Sequence, residues 1–417
     1  MRMPIFNQTR ILLQLYLVAI SLAWGQPLLA AALYISEVGT PASLGTAGAA
    51  NSTNNVGADA AWTNPAGMTG LSEDHIMTGL MVIIPEVEFD SSVAEAGGSD
   101  GGNAGQTAVI PSFFYTHMVS DDSRLGFSVV APLGGGIDYG DNFVGRYAIQ
   151  NVELAGIAFT PSYAYKVDDR LSLGVGISAV YTTLEQDIAI NGPGAGDGQA
   201  KFEDLDDWGY QGILSLTYQL TADTLLGAVY RSEMDVDLEG DLKVKDLAAP
   251  VPNQSVDVSW NNPQTLDLGL RYRLDKQKTL LFTLGWEDWS RFSKNTIAVD
   301  PAGAQVSVDR QWDDTWNIGA GYIQSIDTES FYTLGIAYES SPVKDKHRTF
   351  DFPVDEIWKL AGSYIWLGEN NFDYSVGATL YMMGDAEVDQ TSQGVRAAGE
   401  FDSNLLLFLG STLRYTF

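Results

Sequence analysis

In the stretch TLDLGLRYRL, Leu266, Leu268, Leu270, Tyr272 and Leu274 alternate with Asp267, Gly269, Arg271 and Arg273. A period of two is the signature of a β-strand, whose successive side chains leave by opposite faces. One face of this strand is oily and the other is polar. The pattern recurs: Leu171, Leu173, Val175, Ile177, Ala179 and Tyr181 stand against Ser172, Gly174, Gly176 and Ser178. Leu214, Leu216, Tyr218 and Leu220 stand against Ser215, Thr217 and Gln219, and Tyr332, Leu334, Ile336 and Tyr338 against Thr333, Gly335, Ala337 and Glu339. Any one such strand would also fit the wall of a soluble sandwich.

Number and spacing narrow the choice. Fourteen strand segments are readable between residues 75 and 417. Brief connections such as SDDS (Ser120 to Ser123), VDDR (Val167 to Arg170) and SIDTES (Ser325 to Ser330) swap with long ones near 90–106, 188–206, 238–262 and 291–311. An even strand count with short turns at one end and long loops at the other is the pattern of a transmembrane antiparallel β-barrel. In hydrocarbon every backbone N–H and C=O must be paired within the protein, so a sheet spans a bilayer only when it closes on itself. Its outer positions are then apolar, and Trp286, Trp289, Trp312, Trp316, Trp358, Trp366 and Tyr381 fit interfacial girdles or ordinary packing.

Composition excludes several alternatives. The chain carries 53 acidic and 23 basic residues, a formal net charge of −30, which argues against nucleic acid as a partner. It has no cysteine, which removes disulfides, thiolate metal sites and a cysteine nucleophile. Near the start, Arg2 and Arg10 precede the apolar run Ile11 to Trp24, and Ala30, Ala31 and Ala32 follow. Residues 1–32 read as a secretory signal peptide, the run being short for a bilayer span and interrupted by Gln14. Residues 33–74 are rich in Gly, Ala, Ser and Asn and too few to form a core of their own. They form either a tail or, as their low charge favours, a plug inside a barrel of residues 75–417. The chain ends with Leu413, Tyr415 and Phe417 spaced two apart, an outward stripe on the strand that closes the barrel.

Chemistry-bearing motifs are weak. Gly97, Ser99 and Gly101 match G-x-S-x-G within a glycine-rich loop that offers no strand-to-helix elbow. Gly174, Gly176 and Ala179 imitate a dinucleotide fingerprint within a strand. His75, His117 and His347 lack metal-ligand spacing, and the acids of Asp235 to Asp246 fit strand alternation as well as a calcium loop. No catalytic residue, metal or cofactor is expected.

The pieces SEVGTPASLGTAGAA, WTNPAGM, APLGGGIDYGDNFVGRYA, YRSEMDVDLEGD and YESSPVKDKHRTFDFPVDEIWKLAGSY occur in that order over the mature chain. In these the sequence resembles the outer-membrane long-chain fatty acid and aromatic hydrocarbon transporters, the FadL/TodX family. The resemblance implies an all-β barrel of about fourteen strands in the bacterial outer membrane, closed by an N-terminal hatch that bears the Asn64, Pro65, Ala66 triplet. It implies passive uptake of hydrophobic molecules, with capture at the outer face, a site beside the N-terminal residues and lateral exit through a kinked third strand. Leu33, Tyr34 and Ile35 are then the ligand-contact candidates. Ala131, Pro132, Leu133, Gly134, Gly135 and Gly136 are the lateral-opening candidates, although these residues alone fit a strand ending in a loop equally well. The C-terminal stripe resembles the signature read by the outer-membrane assembly machinery, and outer-membrane lipid is the expected surround. Substrate class stays open between fatty acids and neutral hydrocarbons. Where bases would meet a carboxylate, the stretches Tyr181 to Asp187 and Arg310 to Trp316 are rich in acids, and Arg231, Arg271 and Arg273 share inward faces with Glu233 and Asp267, so mutual neutralisation is expected. A general diffusion porin for polar solutes is the alternative function.

Overall fold

The computed structural model describes residues 35, 37–191, 196–246, 253–300, 304–368 and 370–417, so the expected signal peptide, Leu33 and Tyr34 lie outside the described residues. Seven strands come first: β1 (His75–Ala94), β2 (Ala108–Ser120), β3 (Ser123–Asp138), β4 (Asn151–Lys166), β5 (Leu171–Ile190), β6 (Gly198–Thr221) and β7 (Thr224–Arg231). Seven more follow: Thr265–Arg273, Lys278–Glu287, Thr315–Ser325, Ser330–Glu339, Ile357–Leu367, Phe372–Met382 and Val395–Thr416. Each pairs antiparallel with its neighbour, and the last pairs with β1 from His75↔Thr416 to Ala94↔Ala397. The ring of fourteen strands is closed. At its seam Asp74 N–H donates to the Phe417 carbonyl at 3.2 Å, and Phe417 N–H to that of Asp74 at 3.0 Å.

The alternation seen in the sequence has its oily half outside. Ile177 is 65% exposed, Ile318 60% and Leu214 58%, whereas Ser178, Thr182 and Thr160 on the other faces are completely buried. A water-soluble sheet would hide those aliphatic rows, so the surface is built for lipid. Tyr415 and Phe417 also stand outside, while Leu413 between Leu409 and Tyr415 is covered.

The long connections are not plain loops. Met234–Lys245 and Gln254–Asn262 pair with each other above β7, and Lys294–Asp300 bridges Gln254–Asn262 to Ala304–Asp309. Their sequences keep the period of two, so the wall continues past the membrane on the side of the long connections, where water and neighbouring strands satisfy the backbone. By the same rule the short turns, the start of β1 and the end of the last strand face the periplasm.

Candidate functional site

Residues 37–71 carry short helical turns, Leu44–Thr46, Asn51–Thr53, Ala60–Thr63 and Pro65–Gly70, and their bonds radiate to strands all round the ring. Thr333 Oγ1 donates to the Gly45 carbonyl at 2.7 Å and Thr379 Oγ1 to that of Leu44 at 2.5 Å. On other walls the Arg231 guanidinium donates to Trp62 O at 2.8 Å and the Arg124 guanidinium to Leu71 O at 2.7 Å. The triplet sits at the start of the last turn: Asn64 Nδ2 donates to the carbonyls of Ser52 at 2.5 Å and Leu216 at 3.2 Å, and Ala66 N–H to Ser215 Oγ at 3.0 Å. Pro65 opens that turn, where its missing N–H costs nothing. Glycine on the inward faces makes the approach possible. A Cβ on Gly174 would collide with the Ala66 nitrogen, and one on Gly335 with the Thr46 backbone.

A second device lies in the third strand. The β2–β3 ladder runs from Ser120↔Ser123 to Phe113↔Val129 and stops. On the other edge β3 continues to Asp138 against β4, with a one-residue slip between Val130 and Leu133, where Ala131 and Pro132 bulge. Further out a bridge from Gly105 to Ile137 resumes contact. Between these limits the wall lacks its β2 partner. Pro132 supplies no ladder donor, and its carbonyl accepts instead from Ile35 N–H at 2.8 Å. Ile35 is buried, and its neighbour Glu37 is held by the Tyr381 hydroxyl and lies 3.7 Å from Lys359 Nζ.

Beside this interruption, on the extracellular side, a cavity of about 80 Å³ is lined by Gly135, Gly136, Leu154, Leu184, Trp260 and Phe352, among others. Its roof is aromatic: Phe292 lies 4.7 Å from Trp312 and 5.7 Å from Phe352 between ring centroids. Among the described residues one cation reaches it. Arg310 forms a two-pronged bond with Asp351, at 2.6 and 3.2 Å, and also donates to Thr349 Oγ1 at 3.1 Å. Burial would lift the Asp351 carboxyl, but the Arg310 guanidinium overrides it and holds that group below its ordinary range. Next to Asp351 in the chain, Phe350 joins a second cluster with Phe89, Phe143 and Tyr139, whose phenol donates to the Phe350 carbonyl at 2.9 Å and is pushed well up by burial. The run Thr349–Phe352 thus ties both aromatic clusters and the ion pair together.

The residues singled out in sequence fall in three places. Ile35 and the stretch Ala131–Gly136 come together at the wall interruption, Asn64–Ala66 lie deeper in the interior, and Leu413, Tyr415 and Phe417 close the seam. Within Tyr181–Asp187 and Arg310–Trp316, Leu184, Gln186 and Arg310 line the cavity. Phe292, Trp260 and Phe352 were missed, because an aromatic residue in a long loop reads the same whether it packs or binds. The expected neutralisation is met for Arg231, 3.9 Å from Asp267, whereas Arg273 pairs at 2.8 Å with Asp223, a carboxylate outside the expected set. Glu233 faces Arg291 at 3.6 Å. Arg271 departs from it: among the described residues no carboxylate lies within ion-pair distance, and its guanidinium donates to Asn55 Oδ1 at 2.8 Å.

Comparison with known proteins agrees with this architecture. Residues 21–417 match the family model described as outer membrane protein transport protein (OMPP1/FadL/TodX). The chain is 25% identical over 393 residues to a long-chain fatty acid transport protein of Escherichia coli O6:H1, covering 85% of this chain and 87% of that one. It is 22% identical to outer membrane protein P1 of Haemophilus influenzae over 86% of this chain and 84% of the relative. Among solved structures it shares its fold with a Pseudomonas aeruginosa FadL homologue, at a TM-score of 0.85 and 18% identity over 93% of this chain and all of that one. The Pseudomonas putida toluene transporter TodX superposes with a TM-score of 0.70 and 15% identity over 94% of this chain and all of TodX.

Proposed function

This chain belongs to the OMPP1/FadL/TodX family of outer membrane transport proteins, and on that premise we propose that it takes up hydrophobic compounds, long-chain fatty acids or hydrocarbons, without an energy source. It is a multi-pass protein of the bacterial outer membrane. Residues 33–74 act as a hatch across the lumen, and solute leaves sideways through the interrupted third strand into the surrounding lipid. The observation that carries this reading is the bond from Ile35 to Pro132, which sets the N-terminal segment against the unpaired stretch of wall beside the apolar cavity. A segment so seated ties occupancy of the cavity to the state of the opening.

Ala131, Pro132, Leu133, Gly134, Gly135 and Gly136 frame that exit, and Leu33, Tyr34 and Ile35 touch the solute on its way. Asn64, Pro65 and Ala66 anchor the hatch. Leu413, Tyr415 and Phe417 present the ending that the outer-membrane assembly machinery recognises. No catalytic step enters this reading, and a wide polar pore is disfavoured by the many bonds between residues 37–71 and the barrel wall.

The test is uptake in a strain lacking the gene, with a long-chain fatty acid, an alkane and an aromatic hydrocarbon compared side by side. Dependence of at least one of them on the gene is expected. If none depends on it, the transporter reading fails.

A further inference from the structure

A second and larger cavity, about 350 Å³, lies at the periplasmic end between residues 41–59 and the strand ends at the short turns. That volume falls in the range of small-molecule sites, ~300 to 1,000 Å³. At the periplasmic ends of four successive strands the inward positions that line it are apolar: Leu281, Ile323, Phe331, Ile365 and Leu367. A mouth meant only for water has no need of five apolar side chains in a row.

The charges there are unevenly matched. Arg414 is paired with Asp373, and Asp59 is buried, its carboxyl pushed up by that burial although the Thr40 hydroxyl donates to it at 2.5 Å. Lys276 stands exposed at a turn, and neighbouring Arg273 is paired with Asp223. That leaves Arg271, half-buried, reaching the cavity with a neutral amide oxygen as its acceptor and no carboxylate within ion-pair distance among the described residues. A guanidinium kept partly from water without a counter-ion is costly, and its planar fork suits a carboxylate.

We propose that this periplasmic cavity is a binding site for an anionic amphiphile, with Arg271 holding the carboxylate and the Leu281–Ile323–Phe331 wall holding the chain. The inference rests on the transport reading and narrows its substrate class to carboxylates. The site lies on the far side of residues 37–71 from the aromatic cavity, so solute that passes this segment instead of leaving sideways would reach it.

The test uses the full mature chain in nanodiscs, with dodecanoate and the neutral dodecanol titrated into wild type and Arg271→Gln. Dodecanoate should bind wild type and weaken about tenfold or more in the variant, as loss of a charge-assisted bond predicts, while dodecanol is indifferent to the change. Resistance of the folded barrel to SDS without heating checks that the variant is intact. A photoreactive fatty acid should label peptides containing Ile323 or Phe331. Equal dodecanoate affinity in the two proteins, or labelling confined to Phe292 and Phe352, overturns the proposal. Those results leave gene-dependent uptake untouched, so this failure and that of the transport reading are distinguishable.

Discussion

The two cavities each contain an arginine, in opposite circumstances. On the extracellular side Arg310 is locked to Asp351 under a lid of aromatic rings, and its charge helps to hold the Thr349–Phe352 run in place. On the periplasmic side Arg271 donates to an amide oxygen and, among the described residues, has no carboxylate within ion-pair distance. A cation that already has a carboxylate stabilises structure and offers little to a solute. One without a carboxylate is weakly held and available. The same residue type thus serves architecture in one cavity and recognition in the other, and the difference lies in the partner supplied by a distant segment.

The comparison can be broken most severely by removing what separates the cavities. Deleting residues 33–74 should merge them, and single-channel conductance in planar bilayers should rise to that of an open lumen. An unchanged conductance would show that the segment does not close the passage. Next in size is removal of the bulge: deleting Ala131 brings the two halves of the β3–β4 register into line, and most gene-dependent uptake should be lost while the barrel still resists SDS. The two arginines can then be set against each other. Arg310→Gln leaves Asp351 largely buried without its counter-ion and should cost ~1 to 3 kcal/mol in urea unfolding, whereas Arg271→Gln should stay within ~0.5 kcal/mol. The smallest effect is a pH response. Because the Asp351 carboxyl is held below its ordinary value, its stabilisation is complete above ~pH 3.9 and fades as pH falls through the lowered value. Fluorescence of Trp289 and Trp312 should therefore shift only in acid, and Asp351→Asn should abolish that shift.

Much of the barrel was legible because lipid imposes a rule on every strand. Leu266 to Leu274 alternate since one face must satisfy hydrocarbon, and no tertiary detail changes that. The interior obeys no comparable rule. Arg271 and Arg273 look alike in sequence, two apart on one face, yet one reaches Asp223 across a turn and the other reaches Asn55 in the interior segment. Pairing between residues more than 200 apart, such as Arg271 with Asn55, leaves no local trace. The bulge at Ala131 and Pro132 was half visible: proline marked a weak place in the ladder, but only the register shows β3 continuing beyond it. The periplasmic apolar wall was present in plain letters at Leu281 and Ile323, hidden because each strand supplies only one or two of its residues.

The seam at Asp74 and Phe417 has a consequence for biogenesis. Its two edges come from opposite ends of the polypeptide, so the cylinder cannot shut until the final residue has been delivered, and every shorter intermediate carries two bare edges able to capture a foreign strand. Contacts of such long sequence separation form slowly, so those edges stay bare for as long as the seam is open.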